Sequence, residues 1–218
     1  MSKNFFLAIA GNIGTGKTTL TKLLADKYNW QPYFEAANDN PYLDDFYKDM
    51  SRWSFPLQVF FLTNRVQVHK KILSDGGAAI QDRSIYEDYH IFARNLHDMG
   101  MLEKRDFVNY LALFQEVTAA VRPPDLIIYL RKSTSNLMSQ IRNRGRDYEA
   151  SISENYIARL NNYYEDWISD YELGKKLIIE SDELDFVSRE ADFEKILALI
   201  VEVLDNKPSG LKKAVFNS

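Results

Sequence analysis

The chain has 218 residues and no cysteine. That absence excludes disulfides, thiolate nucleophiles, Cys-ligated zinc and iron–sulfur clusters together. Histidine is scarce: His69, His90 and His97 are the three present, and none has metal-site spacing such as His-Glu-x-x-His. Each reads as a packing residue of core or surface. No Pro-, Gly- or Ser-rich stretch divides the chain. One α/β domain over residues 1–205 is therefore expected, with a mobile tail over 206–218. No apolar run approaches the roughly 20 residues that span a bilayer. The early apolar run at residues 5–10 is too short for the core of a signal peptide, so a cytoplasmic location and no membrane partner are expected. Basic excess is lacking as well. A formal net charge of −4 argues against a general nucleic-acid partner.

What is present is concentrated near the start. An apolar run of strand length, Phe5 to Ala10, feeds Gly11-Asn12-Ile13-Gly14-Thr15-Gly16-Lys17-Thr18, followed by Thr19. Residues 11–18 fit G-x-x-x-x-G-K-[ST], the phosphate-binding loop. Its glycines let successive backbone N–H groups point into one cavity, and the helix that opens at Thr18 adds positive potential there. Lys17 is placed to reach the outer phosphates and the Thr18 hydroxyl to ligate Mg²⁺. The chain is thus expected to bind a nucleoside triphosphate.

Further strands are expected at 31–35, 78–82, 126–130 and 177–180, with helical stretches between them. The expected helices include 42–50, 86–96, 105–121, 135–144, 153–171 and 193–204. Another starts with Ser54 as N-cap and Pro56 in its first turn, and stops at Gly76-Gly77. Alternation of strands and helices behind a phosphate-binding loop predicts an α/β P-loop NTPase fold. Its five-stranded parallel sheet carries helices on both faces. The stripe Tyr156, Leu160, Tyr163, Tyr164, Trp167 and Tyr171 has helical spacing and is assigned to packing rather than base stacking.

In such a sheet ligands sit at the carboxyl ends of the strands. The second and third strands bring Glu35 and Asp82-Arg83 there, beside the phosphate loop. The bland reading of each carboxylate is a helix cap. Phosphoryl transfer, however, needs a base for the attacking hydroxyl, a carboxylate for Mg²⁺ and cations around the moving group. Arg142, Arg144 and Arg146 supply cations on a segment that is either a helix end capped by Gly145 or a lid over the phosphates. The lid is the preferred reading. A carboxylate at Glu35 suits a neutral hydroxyl acceptor better than a monophosphate, which is already anionic. The rivals are a nucleoside monophosphate kinase of thymidylate-kinase type and a non-catalytic P-loop nucleotide switch. The absence of an Asn-Lys-x-Asp segment weighs against a GTPase.

Four motifs in order resemble the deoxynucleoside kinases. They are the phosphate loop, Arg52-Trp53-Ser54-Phe55, Asp82-Arg83-Ser84-Ile85-Tyr86-Glu87-Asp88, and Arg144-Gly145-Arg146-Asp147-Tyr148-Glu149. The bacterial purine-preferring branch looks nearest. The resemblance implies transfer from Mg·ATP to the 5′-hydroxyl of a deoxynucleoside, with deoxyadenosine first, deoxyguanosine or deoxycytidine next, and thymidine poor. It makes Glu35 the general base, with Arg83 beside it and the transferred phosphoryl. Asp82 stands where the family usually has Glu, and is a Mg²⁺ contact together with Thr18. Tyr47 and Glu149 match the positions that hold the 3′-hydroxyl. Arg142, Arg144 and Arg146 match arginines that bind donor phosphates, and Asp185-Phe186 the loop at the donor base. Gln58 matches the amide that pairs with the acceptor base and Phe92 the aromatic that stacks on it. Arg65 and Asp88 match a charged pair that fills the space of a thymine methyl. Phe61 stands where the family often has a small residue. The family also implies a homodimer through residues 105–121.

Overall fold

The computed structural model describes residues 4–35, 40–205 and 212–214. The first apolar run forms β1 (Phe6–Gly11), and the phosphate loop leads from it into α1 (Lys17–Tyr28). After β2 (Gln31–Tyr33) come α2 (Leu43–Lys48) and the long α3 (Met50–Asp75). Next is β3 (Ala79–Asp82), then a broken helix of three parts: α4 (Ile85–Glu87), a π-helical stretch (Asp88–Ala93) and α5 (Arg94–Asp98). The chain continues through α6 (Lys104–Ala119), β4 (Leu126–Arg131), α7 (Thr134–Arg144) and a 3₁₀ turn (Asp147–Glu149). It finishes with α8 (Glu154–Asp170), β5 (Lys175–Glu180), α9 (Glu190–Asp205) and β6 (Lys212–Ala214).

All five expected strands lie in one sheet, in the order β2-β3-β1-β4-β5-β6, and every pairing is parallel. The sixth strand comes from the stretch expected to be a mobile tail. The other residues of 206–218 lie outside those described. Alternate side chains of the central strands serve opposite layers, as the period of two requires. Leu7, Ile9, Ile128 and Ile179 pack with Leu20 and Leu24 of α1 and Ile196 and Ile200 of α9. Ala8, Ala10, Ile127, Tyr129 and Ile178 pack with Leu57 and Leu62 of α3, Tyr110 of α6, and Tyr156, Leu160 and Tyr164 of α8. Both faces are covered, which is why β1 and β4 read as unbroken apolar runs. Tyr156, Leu160, Tyr164, Trp167 and Tyr171 are buried, in line with the packing assignment. Among the described residues no helix is long and apolar enough to cross a membrane.

Helix α3 differs from expectation at its start. Asp49, not Ser54, is the N-cap, its carboxylate accepting the Arg52 N–H at 3.1 Å. Ser54 lies inside the helix and donates to the Met50 carbonyl at 2.6 Å. Pro56 is therefore interior to the helix, where it cannot donate to the Arg52 carbonyl four residues before it. The cap is an aspartate, which satisfies an orphan N–H as well as serine would.

Candidate active site

The phosphate loop stands at the carboxyl end of β1, next to the end of β3, where Ile9 and Asp82 are in register. Gly16 caps α1 with φ 92°, a left-handed conformation open to glycine. A Cβ there would lie 3.2 Å from the Phe186 ring, so Phe186, buried, closes the outer side of the loop. Lys17 is buried and donates to the Asn12 carbonyl at 2.8 Å. Burial, with Arg83 nearby, lowers its ammonium to about 8 despite Asp82, Glu35 and Glu87. Thr18 Oγ1 donates to Asp82 Oδ2 at 2.5 Å, whereas the buried Asp82 Oδ1 has no protein partner.

A cavity of about 480 Å³ opens from this loop. Of the expected phosphate-loop residues, Ile13, Gly14, Lys17, Thr18 and Thr19 line it. Gly11, Asn12, Thr15 and Gly16 form the loop's framework behind them. Glu35, Tyr47, Gln58, Phe61, Asp82, Arg83, Asp88, Phe92, Arg144, Arg146 and Glu149 complete much of the wall. Arg65, Arg142, Asp185 and Phe186 do not face it.

Glu35 lies two residues beyond the end of β2. Its Oε1 takes Arg83 Nε at 2.9 Å and a shorter bond from Arg65 Nη2. Burial alone would raise this carboxyl, but Arg83, Arg65 and Lys17 together hold it at about 2. Arg83 itself has φ 70°, rare for a side chain other than glycine, asparagine or aspartate. Its guanidinium also lies 4.7 Å from the centre of the Phe92 ring. Asp88 and Phe92 both belong to the π-helical stretch, whose wider turn brings them to the same cavity.

Arg65 and Asp88 are brought together as an ion pair without a hydrogen bond. Arg65 Nε stands 3.5 Å from Asp88 Oδ2, and neither atom makes a hydrogen bond. The other two nitrogens of the guanidinium bridge Glu35 and the Asp82 carbonyl, the latter at 3.2 Å. Burial accordingly pushes Asp88 up to about 7, since Arg65 only partly offsets it. Asp88 thus faces the cavity, and Arg65 stands behind Glu35 beside an adjoining groove.

The arginine segment divides. Gly145 caps α7 in the left-handed conformation, N–H to the Ile141 carbonyl at 3.3 Å. Beyond the cap the chain folds back so that Glu149 accepts Arg144 Nε at 3.1 Å and faces Arg146 at 3.6 Å. Arg142 is exposed on the last turn of α7, the helix-end cation of the simpler reading. Tyr47 stacks on Tyr148 at 6.0 Å between ring centres, joining α2 to this segment. Gln58 is buried, and its Oε1 has no protein partner. Asp185 accepts the N–H groups of Val187 and Ser188 at 3.2 and 2.9 Å and shapes a turn.

The sequence reading missed Phe34, Tyr148 and Tyr156, which line the cavity, and Glu87, which lies fully buried beneath it. The signal for Glu87 was available. Ser84-x-x-Glu87 has the spacing of a capping box, and Glu87 Oε2 accepts the Ser84 N–H at 2.6 Å. Among the described residues no group of three or more His, Asp or Glu side chains is placed to hold a metal by itself.

The chain as a whole is similar to known proteins. A deoxyadenosine/deoxycytidine kinase of Bacillus subtilis is 38% identical over 208 residues, which are 94% of this chain and 96% of the relative. A deoxyguanosine kinase of Lactobacillus acidophilus is 35% identical over 91% of this chain and 90% of its own length. The structure of deoxyadenosine kinase from M. mycoides with bound dATP superposes with a TM-score of 0.80 at 28% identity. That match covers 90% of this chain and 99% of the other. The family model for deoxynucleoside kinase matches residues 7–205, from β1 to the end of α9, so the chain belongs to the deoxynucleoside kinase family and is an ATP-dependent phosphotransferase of that kind.

Proposed function

We propose that this kinase prefers deoxyadenosine, accepts deoxyguanosine or deoxycytidine next, and uses thymidine poorly, yielding the 5′-monophosphate and ADP. The observation that supports this reading is a cavity lined by Lys17 and Thr18, Glu35 and Arg83, and Gln58 together. An unpartnered Gln58 Oε1 leaves an acceptor for an N–H on the edge of the base, which the amino groups of adenine and cytosine can supply. Phe92 and Phe61 offer apolar surface to the base, and Asp88 a polar group beside it. Tyr47 and Glu149 are assigned to the 3′-hydroxyl, which would favour a deoxyribose sugar.

Glu35 would orient the 5′-hydroxyl and receive its proton. In a loose transition state the hydroxyl becomes acidic only as the new bond forms, so a fixed, ionised carboxylate suffices. Arg83, Arg144 and Arg146 would meet the charge that develops on the transferred group, with the phosphate-loop amides and Lys17. The pair Thr18 and Asp82 fits Mg²⁺. Both are hard oxygen donors, and the free Asp82 Oδ1 has no other partner. The metal would neutralise phosphate charge there. Arg142, Asp185 and Phe186 are kept as a donor-side outer rim on the resemblance alone. A homodimer through α6, where Val108 and Leu113 are exposed, a single domain over 1–205 and a cytoplasmic location complete the proposal.

The test is ADP release from Mg·ATP with each of the four deoxynucleosides, with deoxynucleoside monophosphates as controls. Turnover is expected with deoxyadenosine above the others, and little with thymidine. Thymidine as best substrate would overturn the base assignment. Turnover confined to monophosphates would remove Glu35 from its role.

A further inference from the structure

Beneath the cavity floor, three segments meet at one carboxylate. Glu87 of α4 has its two oxygens engaged in different work. Oε2 accepts the Ser84 N–H at 2.6 Å, which caps the start of α4. Oε1 faces away from that cap. It accepts the Gly11 N–H at 3.3 Å and the Tyr164 hydroxyl at 2.7 Å, and pairs with Arg83 Nη1 at 3.2 Å. Tyr164, from α8, also accepts Arg83 Nη1 at 2.7 Å and lies 2.8 Å from the Gly11 carbonyl. Burial keeps this phenol protonated, well above its ordinary range, so its one hydrogen stays available to either Glu87 Oε1 or the Gly11 carbonyl. Helix α8 grips the same loop a second time, where Asn12 Nδ2 donates to the Ile157 carbonyl at 3.0 Å and to Asn161 Oδ1 at 2.7 Å.

A cap for a three-residue helix needs only Oε2. The bonds of Oε1 join the residue that ends β1, where the phosphate loop begins, to Arg83, whose other edge holds Glu35. We propose that Glu87 and Tyr164 are positioning residues, fixing Arg83 and the phosphate loop to one another so that hydroxyl and phosphoryl group meet in line. The inference rests on the reading of Arg83 as the cation beside the transferred group. Neither residue lines the cavity, so neither contributes to binding directly. A bridge of this kind should govern turnover and leave affinity alone, because misplacement of reacting groups by about 1 Å can cost as much as 10²-fold.

Tyr164→Phe removes one hydroxyl and keeps the ring. It is expected to lower kcat roughly tenfold or more, with KM for deoxyadenosine and for ATP each within about threefold of wild type. Binding stoichiometry for deoxyadenosine, by calorimetry, should stay at the wild-type value. A role in folding alone would instead lower kcat and stoichiometry in proportion. Glu87→Gln keeps acceptor geometry at Oε1 and should retain more turnover than Glu87→Ala. Arg83→Lys should lose turnover, and adding Tyr164→Phe to it should cost little more, because both act through one group. Wild-type kcat in Tyr164→Phe, a loss matched by stoichiometry, or full additivity with Arg83→Lys would each overturn the positioning role. Wild-type kcat in Arg83→Lys would instead overturn the reading of Arg83, and the inference with it.

Discussion

Arg83 holds a backbone conformation that costs a side chain such as arginine on the order of 1–3 kcal/mol. It persists because its N–H bonds to the Ile9 carbonyl at 2.9 Å while its guanidinium meets Glu35, Glu87, Tyr164 and the Phe92 ring. Glu35 draws its character from the same arginine. Glu35→Gln should lower kcat by roughly 10²-fold or more while nucleoside affinity, measured by calorimetry, changes little. A variant with near-normal turnover would show that another group takes the proton. Lys17 gives a pH test. Its ammonium, lowered to about 8 by burial and by Arg83, is charged below that pH and neutral above it. A triphosphate binds the charged form, so the Kd for ATP should rise as pH passes 8. Lys17→Arg stays charged and should show a flat profile. These residues were legible because a local motif carried them. Tyr164 was not. Its helical spacing correctly put it in the core, but the group its hydroxyl serves lies 153 residues away in the chain. Arg65 was legible only in part. Its pairing with Asp88 was expected and an ion pair forms at 3.5 Å, but its bond to Glu35, 30 residues away in the chain, left no local signal.

The strands of the sheet could be read because burial on both faces writes them as apolar runs bounded by turns. Helix boundaries were less legible. Asp49 and Ser54 are both good caps by residue type, and only the packing of α3 selects between them. The π-helical stretch left no readable mark, since Asp88 to Ala93 has the composition of an ordinary amphipathic helix. One junction between elements has little tolerance. Gly174 precedes β5, and a Cβ there would stand 2.4 Å from the Pro124 carbonyl oxygen, on the segment that enters β4. Gly174→Ala should destabilise the fold by about 1–3 kcal/mol, read as a fall in Tm of roughly 3–10 °C. Activity per folded molecule should be unchanged, because this junction lies at the amino ends of the strands and the site at their carboxyl ends. An unaltered Tm would mean that the two segments part without cost.

For the molecule as a whole, the net charge of −4 describes the surface average and hides the site. Lys17, Lys22, Arg83, Arg144 and Arg146 converge on one cavity with Glu35, Asp82, Asp88 and Glu149. That gathering draws on segments from Ile13 to Tyr156, so it became visible only through the order of motifs and was complete only in three dimensions. The margins of the sheet have a different significance. At one side β2 is short and contains Pro32, which cannot donate to an incoming strand. At the other, β6 pairs with Leu177, Ile178 and Ile179 of β5. A chain ending at Asp205 would present that aliphatic row as an open template for strand addition by a neighbouring molecule. Such a truncation should keep its turnover when fresh but scatter light sooner than the full chain at equal concentration and temperature. Equal scattering would show that something else guards β5. If the truncated chain scatters sooner, the colloidal lifetime of this enzyme is governed by a strand remote from its chemistry.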